Sequence, residues 1–243
     1  MIDATIAANL ERVRTRIAAA AARAGRRPEE IQLVAVSKTQ PAEAIRAAYD
    51  AGQRVFGENY LQEALEKMDR LADLAIEWHF IGRIQANKTR LLATRFDWIH
   101  GLADPSHARR LSEQRPDPGP PLNVCLQVNV GAESTKSGVS PDALPGLFQF
   151  VRGLPQIRIR GLMTMPPPAA DEASQRQPFR ILRELRDRTA EPNAPLTCLS
   201  MGMSDDLEAA ILEGATHVRI GSAIFGARSY NRTGSDHGGS DLP

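Results

Sequence analysis

The sequence predicts an α/β protein: a single (β/α)8 barrel, the TIM-barrel architecture, with one additional helix at its N-terminus. Eight short apolar runs alternate with segments of helical length, and eight parallel strands are the number that closes a sheet on itself. The 243 residues of the chain sit near the roughly 250 of such barrels. An open doubly wound sheet is the alternative, but no G-x-G-x-x-G follows the first run, as a dinucleotide-binding sheet would prefer.

The first helix is read from Ile2 to about Ala24. Its apolar positions Ile2, Ile6, Leu10, Val13 and Ile17 form one helical stripe, and Gly25 and Pro28 stand where a helix has just ended. The strand candidates follow in order: IQLVAV, RVFGEN, IEWHFIG, DWIHGL, LNVCLQVNV, IRIRGLM, LTCLS and HVRIGS. Helical segments follow the first seven, over residues 41–51, 60–74, 84–95, 105–114, 141–151, 172–190 and 204–213. Several begin with Pro, Ser or Asp, which preset the first helical turn or accept its free N–H groups: Thr39-Gln40-Pro41, Asp104-Pro105, Ser140-Pro141-Asp142 and Ser204-Asp205-Asp206. The proline-rich stretch MPPPAADEASQRQP, Met165 to Pro178, predicts a mobile loop after strand six. The barrel domain is expected over residues 1–228, and the polar tail 229–243, with almost nothing to bury, is expected to be disordered.

Composition excludes several classes. With 42% hydrophobic residues there is material for a large core, while 30 Lys+Arg against 29 Asp+Glu leave a net charge of +1 with neither sign in a long block. A nucleic-acid binder needs a concentrated basic excess, so no nucleic-acid partner is expected. The pairs Arg26-Arg27 and Arg109-Arg110 read as solvated faces. No apolar run approaches the roughly 18 to 20 residues that cross a bilayer, and the N-terminal AAAAARAG lacks the core of a secretory signal. A cytoplasmic protein without membrane contact is the expectation.

Cys125 and Cys198 fall in separate strand candidates without C-x-x-C spacing and read as reduced, buried thiols. The histidines His79, His100, His107, His217 and His237 show no metal-ligand spacing, so no metal is expected.

In a barrel of this kind functional groups stand at the C-terminal ends of strands, and a phosphate site often forms from the loops after strands seven and eight. Ser200-Met201-Gly202-Met203-Ser204 follows strand seven, and Arg219-Ile220-Gly221-Ser222 closes strand eight. Glycine lets backbone N–H groups approach a phosphate, and a helix N-terminus favours negative charge. Either loop alone reads as a simple cap; together, at these positions, they predict a phosphate site. Lys38, in VAVSKTQP, ends strand one at the same face. Alone it is a solvated strand end. Beside a phosphate cradle it is an amine placed for an aldehyde, the pairing that pyridoxal 5′-phosphate requires. A lysine-dependent aldolase holding a sugar phosphate on the same loops competes with this reading, although strand one is an unusual place for its lysine. His79, in EWHF, is either an interior histidine with satisfied hydrogen bonds or a group beneath the cofactor. Lys136, in GAESTKSG, is either a second amine at the barrel mouth or a solvated loop lysine. Tyr60 and Trp78 read as packing residues.

The segments VAVSKTQP, FGENYLQEA, EWHFIGRIQANK, GLMTM, SMGMSDDLEAAI and VRIGSAIFGAR, in this order, resemble the pyridoxal phosphate homeostasis proteins, single-domain relatives of the alanine racemase barrel of fold type III. The resemblance spans about Leu10 to Arg228. It implies pyridoxal 5′-phosphate held as a covalent aldimine on Lys38, with Ser200 and Gly202 in the phosphate site. Gly221 and Ser222 complete that site, the serine replacing the threonine of many relatives. It further implies Arg219 facing the pyridine nitrogen, and Asn59 with Met201 or Met203 lining the pocket. Arg83 and Ile84 depart from a proline and a leucine common among relatives, which bears on the entrance to the site.

The function implied is a carrier or buffer of pyridoxal 5′-phosphate in intracellular vitamin B6 homeostasis, without strong catalytic activity and with no catalytic residue assigned. PLP-dependent apoenzymes are the candidate recipients, and a monomer is expected. Two observations support the non-enzymatic reading. A guanidinium with a pKa above roughly 12 does not protonate the ring nitrogen, and the chain ends soon after strand eight, leaving no length for the β-rich second domain that brings an opposing acid to the racemases. A slow racemase or decarboxylase-like enzyme, using His79 or a residue of another chain as second acid/base, is the alternative.

Overall fold

The computed structural model describes residues 2–131 and 137–226; Lys136 and the tail 229–243 lie outside the described residues. Its eight strands are β1 (Gln32–Val36), β2 (Val55–Glu58), β3 (Glu77–Phe80), β4 (Trp98–Leu102), β5 (Leu122–Gln127), β6 (Ile157–Met163), β7 (Cys198–Ser200) and β8 (His217–Ile220). Neighbours in sequence pair in parallel, and β8 returns to β1 through Val34↔Arg219 and Ala35↔Ile220, so the sheet is a closed barrel. Strands of such a sheet are covered on both faces, which is why they read as near-continuous apolar runs rather than alternating ones. In β1 every residue from Leu33 to Val36 is buried.

Between the strands run α2 (Ala42–Asp50), α3 (Leu61–Arg70), α4 (Thr89–Arg95), α5 (Pro105–Gln114), α6 (Leu144–Arg152), α7 (Glu172–Thr189) and α8 (Leu207–Leu212), with a single turn, α9 (Ser222–Phe225), after β8. Asp104 caps α5 by accepting from Ser106 N at 2.7 Å. The helix expected over 172–190 starts where the sequence places it, and the one expected over 204–213 starts later. The expected loop over Met165–Pro178 is shorter, because Asp171 accepts from Ser174 N at 2.9 Å and starts α7 at once, placing Pro178 inside the helix at the cost of one backbone bond. Conversely, α8 begins only at Leu207: Asp206 turns back to accept from Met203 N at 2.6 Å, and Ser204 faces another partner.

The additional helix, α1 (Ile2–Arg23), carries the anticipated stripe: Ile6, Leu10, Val13 and Ile17 are buried. It packs on α2, α8 and α9, and each such side chain taken from water contributes about 1.5–3 kcal/mol. Polar ties fix its seat. Arg16 grips the Glu208 carboxylate with two bonds of 2.7 and 2.9 Å, and Asn9 Nδ2 donates to Ile224 O at 2.7 Å. The second tie holds the turn after β8, where the site forms.

Candidate functional site

A cup of about 270 Å³ opens at the C-terminal ends of the strands, between the loops that follow β1, β2, β6, β7 and β8. Lys38 enters it from the turn after β1, Asn59 from the end of β2, Ser204 from the β7 loop, and Arg219, Gly221 and Ser222 from β8 and its turn; Met165, Met203 and Phe225 supply apolar wall. Ser222 Oγ donates to Ser204 Oγ at 3.1 Å, so two hydroxyls from different loops meet on one wall. The Asn59 Oδ1 atom is buried with no partner.

Arg219 forms the floor. It is 3% exposed and donates through NH1 to Ser200 Oγ at 2.6 Å and through NH2 to Thr164 O at 2.9 Å. Burial lowers its pKa to about 10, against which Asp206 and the two cysteines pull upward, so the guanidinium is charged at neutral pH. Asp206 itself is pushed up by burial, partly offset by the bond from Met203 N and the charge of Arg219. Gly202 shapes the turn between β7 and α8. Its φ is +95°, and a β-carbon there would lie 2.6 Å from the Ala210 side chain, while its carbonyl accepts from Arg219 N at 2.9 Å.

The turn that carries Lys38 is held from beneath by a buried ionic cluster. β1 stops at Val36, so Lys38 is the first residue of a turn rather than the last of the strand. On one side, Ser37 Oγ donates to Glu58 Oε1 at 2.7 Å. Lys67, on α3, donates to Ser37 O at 2.7 Å and to Glu58 Oε1 at 2.8 Å, and also pairs with Glu63. On the other side, Thr39 adopts φ +64° and its N–H donates to Glu63 Oε1 at 2.6 Å. A threonine in the left-handed region is strained, and such strain persists only where the surroundings fix it. Burial pushes the Glu58 carboxyl up, countered by the Lys67 ammonium and the Ser37 hydroxyl.

Of the residues singled out in the sequence, Lys38, Asn59, Arg219, Gly221 and Ser222 share the cup. Ser200, Met201 and Gly202 are buried beneath it, the Ser200 hydroxyl being engaged by Arg219 and by His100 Nδ1 at 2.7 Å. His79 lies deeper still, fully buried in the barrel interior, its ring stacked on Trp98 with centroids 5.2 Å apart. Trp78 is buried against Phe56, whereas Tyr60 is 55% exposed and is not a packing residue; it flanks a groove beside the cup with Arg83 and Lys88. The two thiols are free and buried, 3.4 Å apart.

The sequence places Ser204 in the loop expected to hold a phosphate and reads it as a helix cap, without singling out its hydroxyl as a wall of the cup. Sequence reasoning missed the cluster of Glu58, Glu63 and Lys67. The i,i+4 spacing of Glu63 and Lys67 in GENYLQEALEK was a usable signal for a pair on one helix face, but not for its burial under Lys38.

The family model described as "Alanine racemase, N-terminal domain" matches residues 8–229. A protein of Pseudomonas aeruginosa named pyridoxal phosphate homeostasis protein is 57% identical over 231 residues, covering 95% of this chain and 99% of that one. One of the same name from Escherichia coli (strain K12) is 49% identical, covering 93% and 98%. Among solved structures, PipY of Synechococcus elongatus PCC7942, described with PLP bound, superposes with a TM-score of 0.78 at 38% identity over 91% of this chain and all of that one.

Proposed function

Because this chain belongs to the alanine racemase N-terminal domain family and, within it, to the pyridoxal phosphate homeostasis proteins, we propose that its cup binds pyridoxal 5′-phosphate and that the protein serves as a carrier of it. The observation that carries this reading is the meeting of an amine, a charged guanidinium and a pair of hydroxyls in one cup of about 270 Å³. When bound, the cofactor brings an aldehyde that an amine converts to a Schiff base. Lys38 is the amine we assign to it, held in place by the strained turn and the cluster beneath.

The residues present fit the rest of the molecule. Ser204, Ser222 and the backbone of Gly221 would hold the phosphate, Arg219 would face the ring nitrogen, and Asn59 would stand beside the ring.

The same residues argue against vigorous catalysis. Arg219, with a pKa of about 10, donates hydrogen bonds but keeps its proton at neutral pH, so it does not build the protonated ring that stabilises a carbanion. Racemisation needs an acid and a base on opposite faces of the reacting carbon. Among the described residues that line the cup, Lys38 is the one amine and Asp205 the one carboxyl group, and none is a histidine, cysteine or tyrosine. The assignment is therefore to holding the cofactor and releasing it to PLP-dependent apoenzymes, as part of vitamin B6 balance in the cytoplasm.

Absorbance after addition of pyridoxal 5′-phosphate and removal of the excess tests it. A visible band in the wild type that is absent in Lys38→Ala is the expected result; a band retained equally by both removes Lys38 from the site. Turnover of alanine enantiomers at about 1 s⁻¹ or faster, an ordinary enzyme rate, would overturn the carrier reading.

A further inference from the structure

Five side chains form an unbroken hydrogen-bonded chain down the inside of the barrel. Arg219 NH1 meets Ser200 Oγ at 2.6 Å, Ser200 Oγ meets His100 Nδ1 at 2.7 Å, His100 Nε2 meets His79 Nδ1 at 2.9 Å, and His79 Nε2 meets Glu77 Oε1 at 2.7 Å. The serine and both histidines are fully buried, whereas the Glu77 side chain is 46% exposed at the N-terminal end of β3. The chain thus links the solvent-facing base of the barrel to the floor of the cup.

Its direction follows from which groups can donate. A guanidinium only donates and an ionised carboxylate only accepts. Ser200, having accepted from Arg219, donates its own hydroxyl hydrogen bond to His100 Nδ1. His100 then carries its hydrogen on Nε2 and donates to His79 Nδ1, and His79 in turn donates from Nε2 to Glu77. The opposite order would set the Nε2 lone pair of His79 against the Glu77 carboxylate. Every donor therefore points toward Glu77, and both imidazoles are neutral Nε2–H tautomers.

The surroundings agree with that neutrality. His79 faces Glu77, His217 and Cys198, and burial outweighs the pull of Glu77 to hold it below its ordinary range. His100 faces His79, His217 and Arg219, and burial, aided by the Arg219 charge, holds it well below. A proton relay is excluded at the upper end, where Arg219 keeps its proton at neutral pH. What remains for such a chain is orientation.

We propose that Glu77, His79 and His100 are positioning residues for Arg219. Glu77, the terminal acceptor, fixes the tautomer of both imidazoles. Through Ser200 this sets how the guanidinium presents its other N–H groups to the cup. Only the last step, toward the ring nitrogen of a bound cofactor, rests on the reading of the site given above.

The test begins with the apoprotein, by nitrogen-15 NMR of the histidine rings at pH 7. Neutral Nε2–H signals for both His79 and His100 are expected; an imidazolium or an Nδ1–H tautomer at either overturns the proposal. In Glu77→Leu, mixed tautomers at both rings and roughly fivefold weaker pyridoxal 5′-phosphate binding are expected, with a lower melting temperature because the buried His79 N–H loses its acceptor. A change confined to His79 overturns the proposal. Glu77→Gln retains an oxygen that accepts from His79, so it is expected to restore the wild-type tautomers; tautomers as mixed as in the leucine variant overturn the role of Glu77 as acceptor. Failure of the wild type to bind the cofactor would sink the functional reading and leave the ring tautomers to be judged on their own.

Discussion

The ammonium of Lys67 reaches from the last turn of α3 to the carbonyl of Ser37, 2.7 Å away, and so clamps the residue immediately before Lys38. The same nitrogen neutralises Glu58, which has no exposed surface. Lys67→Met would leave that carboxylate buried and unpaired, a change that typically costs about 3–5 kcal/mol. Urea unfolding is expected to show a loss of this size, and Glu58→Leu added to Lys67→Met to recover much of it. A single variant as stable as the wild type would refute the clamp.

Gly202 and Gly25 separate two costs of adding one methyl group. Both have positive φ, but a β-carbon at Gly25 meets nothing within 4 Å, whereas at Gly202 it meets Ala210 at 2.6 Å. Gly25→Ala is expected to cost about 1 kcal/mol from backbone strain alone, and Gly202→Ala clearly more, with weaker cofactor binding because Arg219 N hangs on the Gly202 carbonyl. Equal melting temperatures for the two variants would contradict this.

The hydroxyl pair gives a binding prediction. Each bond to a charged phosphate is worth about 1.5–3 kcal/mol, so Ser204→Ala or Ser222→Ala should weaken pyridoxal 5′-phosphate binding by roughly tenfold or more. Titration with inorganic phosphate as competitor provides the control: its competition is expected to fade in both variants. Unaltered competition would move the phosphate site elsewhere.

Acid should loosen the barrel earlier than carboxylate titration alone would. His79 and His100 are both held below 6.5 in the fold, His100 well below. In the unfolded chain they bind protons from about pH 6.5 downward, which the folded chain refuses. Stability is thus full above that pH and falls as pH drops toward the folded values, by about 1.4 kcal/mol per unit for each imidazole. Urea midpoints at pH 7.5 and 5.5 read this out, and His100→Gln should reduce the difference; identical midpoints in the wild type would count against buried neutral histidines.

The barrel and the face of the site were legible because their signals are local. IQLVAV surfaces as a strand by its own composition, and Lys38 follows from where that run stops. The five-membered chain from Glu77 to Arg219 was not legible, since its members come from β3, β4, β7 and β8 and meet only through the tilt at which the strands close. Its separate parts looked bland: a serine in a turn, two histidines among apolar neighbours, an acid at a strand start. Ser204 was legible as part of the loop after β7 but not as a hydroxyl wall, for a related reason. A serine before a helix reads as a cap, and only the turn of Asp206 toward Met203 frees it for the cup.

β1 and β8 lie side by side, with Val34 opposite Arg219, although they are the first and the last of the described strands to be synthesised. A growing chain that has already exposed Lys38 therefore carries an amine without a receptacle, since the guanidinium and the hydroxyl wall arrive only with the final strand. Closing so distant a pair is slow in folding terms, and a ligand gripped by both strands favours the closed ring over every open form by mass action. The small molecule would then act as a clasp on the finished ring, and its retention would report that synthesis and folding are complete.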